Sequence, residues 1–120
     1  MDNFVVSALF QSRGLQIGGD LDVASAERLK PPLAEAVRAG GPMFVDMRKL
    51  TFMDTTGIHA WLGVAEALEP NGWCLTLHAP TGSVRKLMEI CGLDRVDNVH
   101  VIYHDGLDGA GQSEEGSASS

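Results

Sequence analysis

Short strand-like apolar runs alternate with longer stretches of helical spacing along this chain. Phe4-Val5-Val6-Ser7-Ala8-Leu9-Phe10 and Leu15-Gln16-Ile17-Gly18 are β-branched and aromatic-rich. The Gln11-Ser12-Arg13-Gly14 segment between them suits a hairpin. Gly19-Asp20-Leu21-Asp22 then breaks the strand pattern, and Ala26, Leu29, Leu33 and Val37 recur at helical spacing up to a Gly40-Gly41-Pro42 stop. Pro31 and Pro32 fall inside this helix, where proline removes backbone donors, so a kink or a fresh helix start is expected there.

Met43-Phe44-Val45-Asp46-Met47 is a nearly continuous apolar run after the Gly/Pro break, the pattern of a strand buried on both faces. After a link comes a second short apolar stretch, Leu50-Thr51-Phe52-Met53, which meets a helix at Asp54-Thr55-Thr56-Gly57. In that helix Ile58, Trp61, Leu62, Ala65 and Leu68 share one face, and His59, Gly63 and Glu66 line another that is small and flat. The flat face suits a partner. Pro70-Asn71-Gly72 ends the helix, and Trp73 to His78 reads as the next strand. Thr81 is placed to cap a third helix with a core stripe of Val84, Leu87, Met88 and Cys91, closed by Gly92 in the left-handed region. Val99 to Tyr103 forms a last strand. Helix and strand alternate, so the fold class is α/β, built in layers.

Composition changes this picture in few places. The length of 120 residues suits one domain, and 44% hydrophobic with 21% charged residues is ordinary for a globular chain. The net charge of -7 and the lack of a Lys/Arg cluster argue against nucleic acid and against anionic membrane surfaces. Asp105, Asp108, Glu114 and Glu115 carry four of those charges in a Gly/Ser-rich stretch, which leaves -3 on residues 1–104. A domain over 1–104 and a disordered acidic tail over 105–120 are expected. Cys74 and Cys91 lie in apolar contexts with no metal-ligand spacing, and are read as buried free thiols. The N-terminus lacks signal-peptide character and no apolar run is long enough to span a bilayer, so a cytoplasmic location is expected.

Catalytic chemistry finds little support. Asp54-Thr55-Thr56-Gly57 superficially resembles the Asp-Thr-Gly turn of aspartic proteases, but that mechanism needs two carboxylates sharing a proton and no second copy occurs. No Gly-x-Ser-x-Gly elbow, Walker A loop or Gly-x-Gly-x-x-Gly fingerprint is present. His78, His100 and His104 read as strand and edge residues. The His100/His104 spacing would join the pair on one face only in a helix, so no metal or cofactor is inferred. What remains is a pair of hydroxyls where a strand meets a helix. A Thr hydroxyl there either caps free backbone amides or accepts phosphate, which would add about -1.5 to -2 units of charge beside Asp54 and into any docking surface.

Val45-Asp46-Met47 followed by Leu50-Thr51-Phe52-Met53-Asp54-Thr55-Thr56-Gly57-Ile58 closely resembles the signature of STAS domains, in particular bacterial anti-sigma-factor antagonists, which typically show Asp-Ser-Ser-Gly-Leu here. Gly19-Asp20-Leu21-Asp22 resembles the family's Gly-Glu-Leu-Asp. Ser83-Val84-Arg85-Lys86-Leu87 and Gly92-Leu93-Asp94 resemble its third-helix segment, so the likeness runs from about Phe4 to about Tyr103. The resemblance implies a single STAS-like domain, with a mixed β-sheet of about five strands and three or more helices packed on it. It implies a non-enzymatic role in partner switching. An unphosphorylated antagonist binds an anti-sigma factor that is also a Ser/Thr kinase, releasing the sigma factor, and a Ser/Thr phosphatase reverses the phosphorylation. The phosphoacceptor carried over is Thr56. Thr55 matches the neighbouring Ser, Asp54 the preceding acid and Asp22 the acid of the adjoining loop. The expected partner surface comprises Asp22, Asp54, Thr55, Thr56, Gly57, Ile58 and His59, on a monomer or weak homodimer. His59 stands where the family usually has a small residue, and Thr replaces Ser at both hydroxyl positions. Two other readings are a STAS accessory subunit of a transporter or signalling assembly without a phosphoswitch, and a small hydrolase using Asp54 or a Thr nucleophile.

Overall fold

The computed structural model describes residues 3–9 and 14–103. The expected tail of 105–120, His104 and most of the first turn lie outside the described residues. A five-stranded mixed sheet forms the frame, with strand order β1-β2-β3-β4-β5. β1 (Val5–Ala8) pairs antiparallel with β2 (Gly14–Leu21) as the expected hairpin. β3 (Met43–Met53), β4 (Leu75–His78) and β5 (Val99–Ile102) then add in parallel. Three helices make the crossovers: α1 (Val23–Ala39), α2 (Thr55–Leu68) and α3 (Gly82–Cys91). Right-handed crossovers between strands added in sequence leave these three helices on one face of the sheet among the described residues. There α2 lies between α1 and α3 and touches both.

Alternation along the strands follows from this one-sided cover. Leu15 and Ile17 of β2, Val45 and Met47 of β3, and Leu75 and Leu77 of β4 are buried. Trp61, Leu68, Leu29 and Leu33 come down from the helices into the same core. The intervening residues form a row across all five strands on the other face: Ser7, Gln16, Asp46, His78 and Ile102 occupy paired register positions. Asp46, read as part of a doubly buried apolar run, is instead the centre of a polar cluster. Arg48 donates to it at 2.8 Å and Gln16 at 3.2 Å, and the backbone N–H of Arg48 adds a third contact at 3.0 Å. His78 Nδ1 lies 3.8 Å from it.

Several boundaries differ from the expectations. β2 continues to Leu21 rather than breaking at Gly19, because Gly19 (φ +83°) absorbs an irregularity in the ladder to β3. A Cβ at Gly19 would lie 2.2 Å from the Asn3 carbonyl oxygen, so only glycine fits. No link separates two strands after Met47. Arg48 and Lys49 are exposed, yet β3 runs through them and returns Leu50 and Met53 to the core. α1 runs unbroken through Pro31 and Pro32 without a fresh start. The amides lost there would have bonded the carbonyls of Glu27 and Arg28, which are exposed residues where water can substitute.

In α2 the core position expected for Leu62 is taken by Val64, and Leu62 is half-buried. Trp73 and Cys74 precede β4 rather than belonging to it. Thr81 occupies the N-cap of α3 without a side-chain capping bond. Cys91 is exposed rather than buried, because α3 ends at this residue. Gly92 turns the chain (φ +77°) and Leu93 fills the core position instead.

Candidate functional site

The site lies at the carboxyl ends of β2 and β3, where two helices begin side by side. Leu21 and Met53 are paired across the strands, and each is followed by an aspartate that caps the next helix. Asp54 N–H donates to Leu21 O at 3.1 Å, which ties the two turns together. Asp22 Oδ1 accepts from the Ser25 amide at 3.1 Å while Ser25 Oγ accepts from the Asp22 amide at 2.9 Å, a reciprocal capping box. The Ser25 hydroxyl is fully buried and donates to Asp20 O at 2.8 Å. Hydrogen bonding from the Ser25 amide holds the Asp22 carboxyl below its ordinary pKa, against a smaller opposing effect of desolvation.

At α2 the cap is Asp54 itself. Its Oδ1 accepts from the Thr56 amide at 2.9 Å, and its carbonyl accepts from Gly57 at 3.0 Å and from Ile58 at 3.4 Å. The helix begins at Thr55, one residue earlier than a threonine cap requires. The capping reading of the threonines is therefore replaced: Asp54 does that work, and among the described residues neither threonine hydroxyl makes a hydrogen bond. Thr55 is exposed and Thr56 half-buried. The amides of Thr56, Gly57 and Ile58 are already engaged by Asp54, so the helix start is not the open anion receptacle its sequence suggests.

Gly57 and Ile58 lie underneath. Ile58 faces the core, and a Cβ at Gly57 would stand 2.5 Å from Met53 Cγ and 2.8 Å from Met53 Sδ. Met53 cannot simply move away, because its sulfur accepts the indole N–H of Trp61 at 3.3 Å. Gly57→Ala is expected to lift the first turn of α2 and cost about 1–3 kcal/mol through overpacking, although alanine is the better helix former. Chemical denaturation checks this, and a stabilised Gly57→Ala would show that Met53 yields freely.

Thr56, His59 and Ala60 of α2 face Ala26, Leu29, Lys30, Leu33 and Ala34 of α1 across an apolar cleft of about 490 Å³. His59 is exposed at its edge. Of the expected site residues, the fold thus brings Asp22, Asp54, Thr55, Thr56 and His59 to one end of the molecule. Lys30 was missed. It flanks the apolar stripe of α1 with nothing in its own neighbourhood to mark it, and only the packing of α1 on α2 carries it to the cleft. Ser25 was legible in principle, since an Asp three residues before a Ser at a helix start is a capping-box spacing.

No group of three or more His, Cys, Asp or Glu among the described residues could hold a metal ion. No helix there is long and apolar enough to cross a membrane. Because the strands are added in chain order, the parallel sheet has no topological switch point, where α/β folds commonly open a ligand crevice.

A family model described as the STAS domain matches residues 6–105. The anti-sigma-B factor antagonist of Staphylococcus aureus is 30% identical over 88 residues, which cover 72% of this chain and 80% of that protein. The unphosphorylated form of the anti-sigma factor antagonist SpoIIAA superposes with a TM-score of 0.64 at 24% identity, covering 82% of this chain and 86% of its own. The phosphorylated form of SpoIIAA, a Bacillus cell fate determinant, superposes with a TM-score of 0.59 at 22% identity, covering 82% and 89%.

Proposed function

This chain belongs to the STAS domain family, and from that premise we propose that it is an anti-sigma-factor antagonist whose binding is switched by phosphorylation of Thr56. It acts as a cytoplasmic binding module, with one STAS domain over 1–104 and an acidic tail over 105–120. Unphosphorylated, it holds an anti-sigma factor with Ser/Thr kinase activity through Asp22, Asp54, Thr55, Thr56 and His59, with Gly57 and Ile58 seating the helix beneath them. Transfer of phosphate to the Thr56 hydroxyl ends that contact, and a Ser/Thr phosphatase restores it.

The observation that carries this reading is the division of labour in the Asp54 turn. Asp54 caps the helix, so the threonine hydroxyls are not needed by the fold. A phosphoacceptor must be dispensable to its own helix if the fold is to survive both states. A phosphate on Thr56 also adds charge and bulk next to the Asp54 carboxylate at the centre of the proposed contact, where a dianion is costly to desolvate.

Two substitutions test it. Thr56→Ala is expected to bind the kinase-type anti-sigma factor as the parent does while phosphate incorporation disappears. Thr56→Glu is expected to weaken binding by ~1.4 kcal/mol or more, about tenfold in affinity. Undiminished phosphate incorporation in Thr56→Ala would overturn the assignment.

A further inference from the structure

We propose that Lys30 of α1 and His59 of α2 together hold the phosphoryl group of phosphothreonine 56, so that phosphorylation bridges the two helices across the mouth of the cleft between them. The proposal rests on Thr56 being the phosphoacceptor.

A phosphate at this place is denied most of the usual partners of a helix start. A dianion on the first turn of a helix is ordinarily stabilised by the free amides of that turn. Here the amides of Thr56, Gly57 and Ile58 are held by Asp54, through its carboxylate and its carbonyl. The Asp54 carboxylate also repels the phosphate from the capping side. The other side of Thr56 is the cleft, whose walls of Ala26, Leu29, Leu33, Ala34 and Ala60 offer no hydrogen bond from a side chain. Only Lys30 and His59 line that cleft with side chains able to carry positive charge.

Both can reach the mouth. His59 is three residues after Thr56 on α2, a spacing that makes the two side chains neighbours on one helix face. Lys30 comes from the opposite wall on a long flexible stem, and its present ion pair with Glu27, 2.8 Å apart, is strongly exposed. Such a pair is weak enough to be exchanged for a phosphate dianion. Lys30 and His59 line the cleft beside Thr56 in the phosphate's favour, while Asp54 at the turn opposes it, as do Glu27, the present partner of Lys30, and Asp22, the cap of α1, from further off. The two attractive groups lie on the cleft side, so the phosphoryl oxygens are drawn over the apolar opening, and α1 and α2 become linked through a covalently attached anion.

The test uses the full chain with phosphothreonine introduced at position 56 during synthesis, which requires no kinase. Phosphorus NMR then follows the second ionisation of the phosphate in the parent, Lys30→Ala, His59→Ala and the double variant. Nearby positive charge favours the dianion, so the parent midpoint is expected about 0.5 pH unit or more below that of the double variant, with intermediate values for the single variants. The difference is expected to shrink on raising the salt concentration, as an exposed charge interaction does. His59→Lys should keep the lowered midpoint, which a purely steric role for His59 would not. Equal midpoints in the parent and the double variant, both folded by circular dichroism, would overturn the bridge. Failure of a kinase to label Thr56 would instead count against the phosphoswitch and leave this titration unaffected.

Discussion

Trp61→Ala is expected to lower the unfolding free energy by about 3–5 kcal/mol, the usual loss for emptying a large aromatic site in a core. Trp61 is 0% exposed and is the largest of the fully buried side chains. It sits in the middle of α2, so the void opens under the helix that carries Thr56. The indole N–H also donates to Met53 Sδ at 3.3 Å, and Met53 is the residue on which Gly57 rests. Truncation therefore releases the floor of the Asp54 turn as well as creating a cavity. Urea unfolding should show a lower midpoint at an unchanged slope, the sign that stability and not compactness has moved. Trp61→Phe, which retains much of the volume and loses the N–H, should fall between the two. A loss below about 1 kcal/mol in Trp61→Ala would mean that the core collapses to fill the site.

Acid sensitivity is the second large expected effect, and it comes from Asp46. Burial works against ionisation of this carboxyl, which is 3% exposed, but hydrogen bonds from the Arg48 side chain, the Arg48 amide and Gln16, with the Arg48 charge, outweigh that cost. The folded-state pKa lies well below the ordinary value of 3.8. A carboxyl depressed by folding contributes stability above its unfolded pKa and loses that contribution as pH falls toward its folded value. The protein should thus lose about 2–3 kcal/mol from this residue as the pH falls from about 5 toward 2. Asp46→Asn should be less stable at neutral pH and should flatten that part of the stability curve. Asp22, also depressed, acts in the same direction and leaves a residual slope in the variant. An unchanged slope in Asp46→Asn would assign the acid sensitivity elsewhere.

What the sequence made legible, and what it hid, divides along a physical line. Helices and strands with a clear period were readable because burial on one face imposes that period locally. α1 from Ala26, Leu29 and Leu33 is one case, and β4 from Leu75 and Leu77 is another. The candidate turn was readable through its likeness to a family motif. The continuity of β3 was not, because the charged Arg48-Lys49 pair interrupts the apolar run, and the ladder accommodates it by one extra β3 residue between Asp46 and Lys49, opposite Gln16 and Gly18. The role of Asp54 as a cap was hidden for a different reason. Moving a helix start by one residue exchanges the capper for the capped, and sequence patterns do not fix helix ends that finely. Lys30 and the Asp46 cluster depend on residues far apart in the chain, which only tertiary packing brings together.

The coincidence of sheet order with chain order bears on how the protein is made. Each parallel strand pairs with the one synthesised just before it, so every new βα unit docks on a finished edge and none must insert between strands already joined. Loop closure is then needed over one unit at a time, which keeps the entropic cost of each step modest. Both capped helix starts, the cleft between α1 and α2 and all the proposed contact residues lie before Leu68. Both helix starts and the cleft are therefore synthesised before β4, α3 and β5, which follow as the support that fixes them.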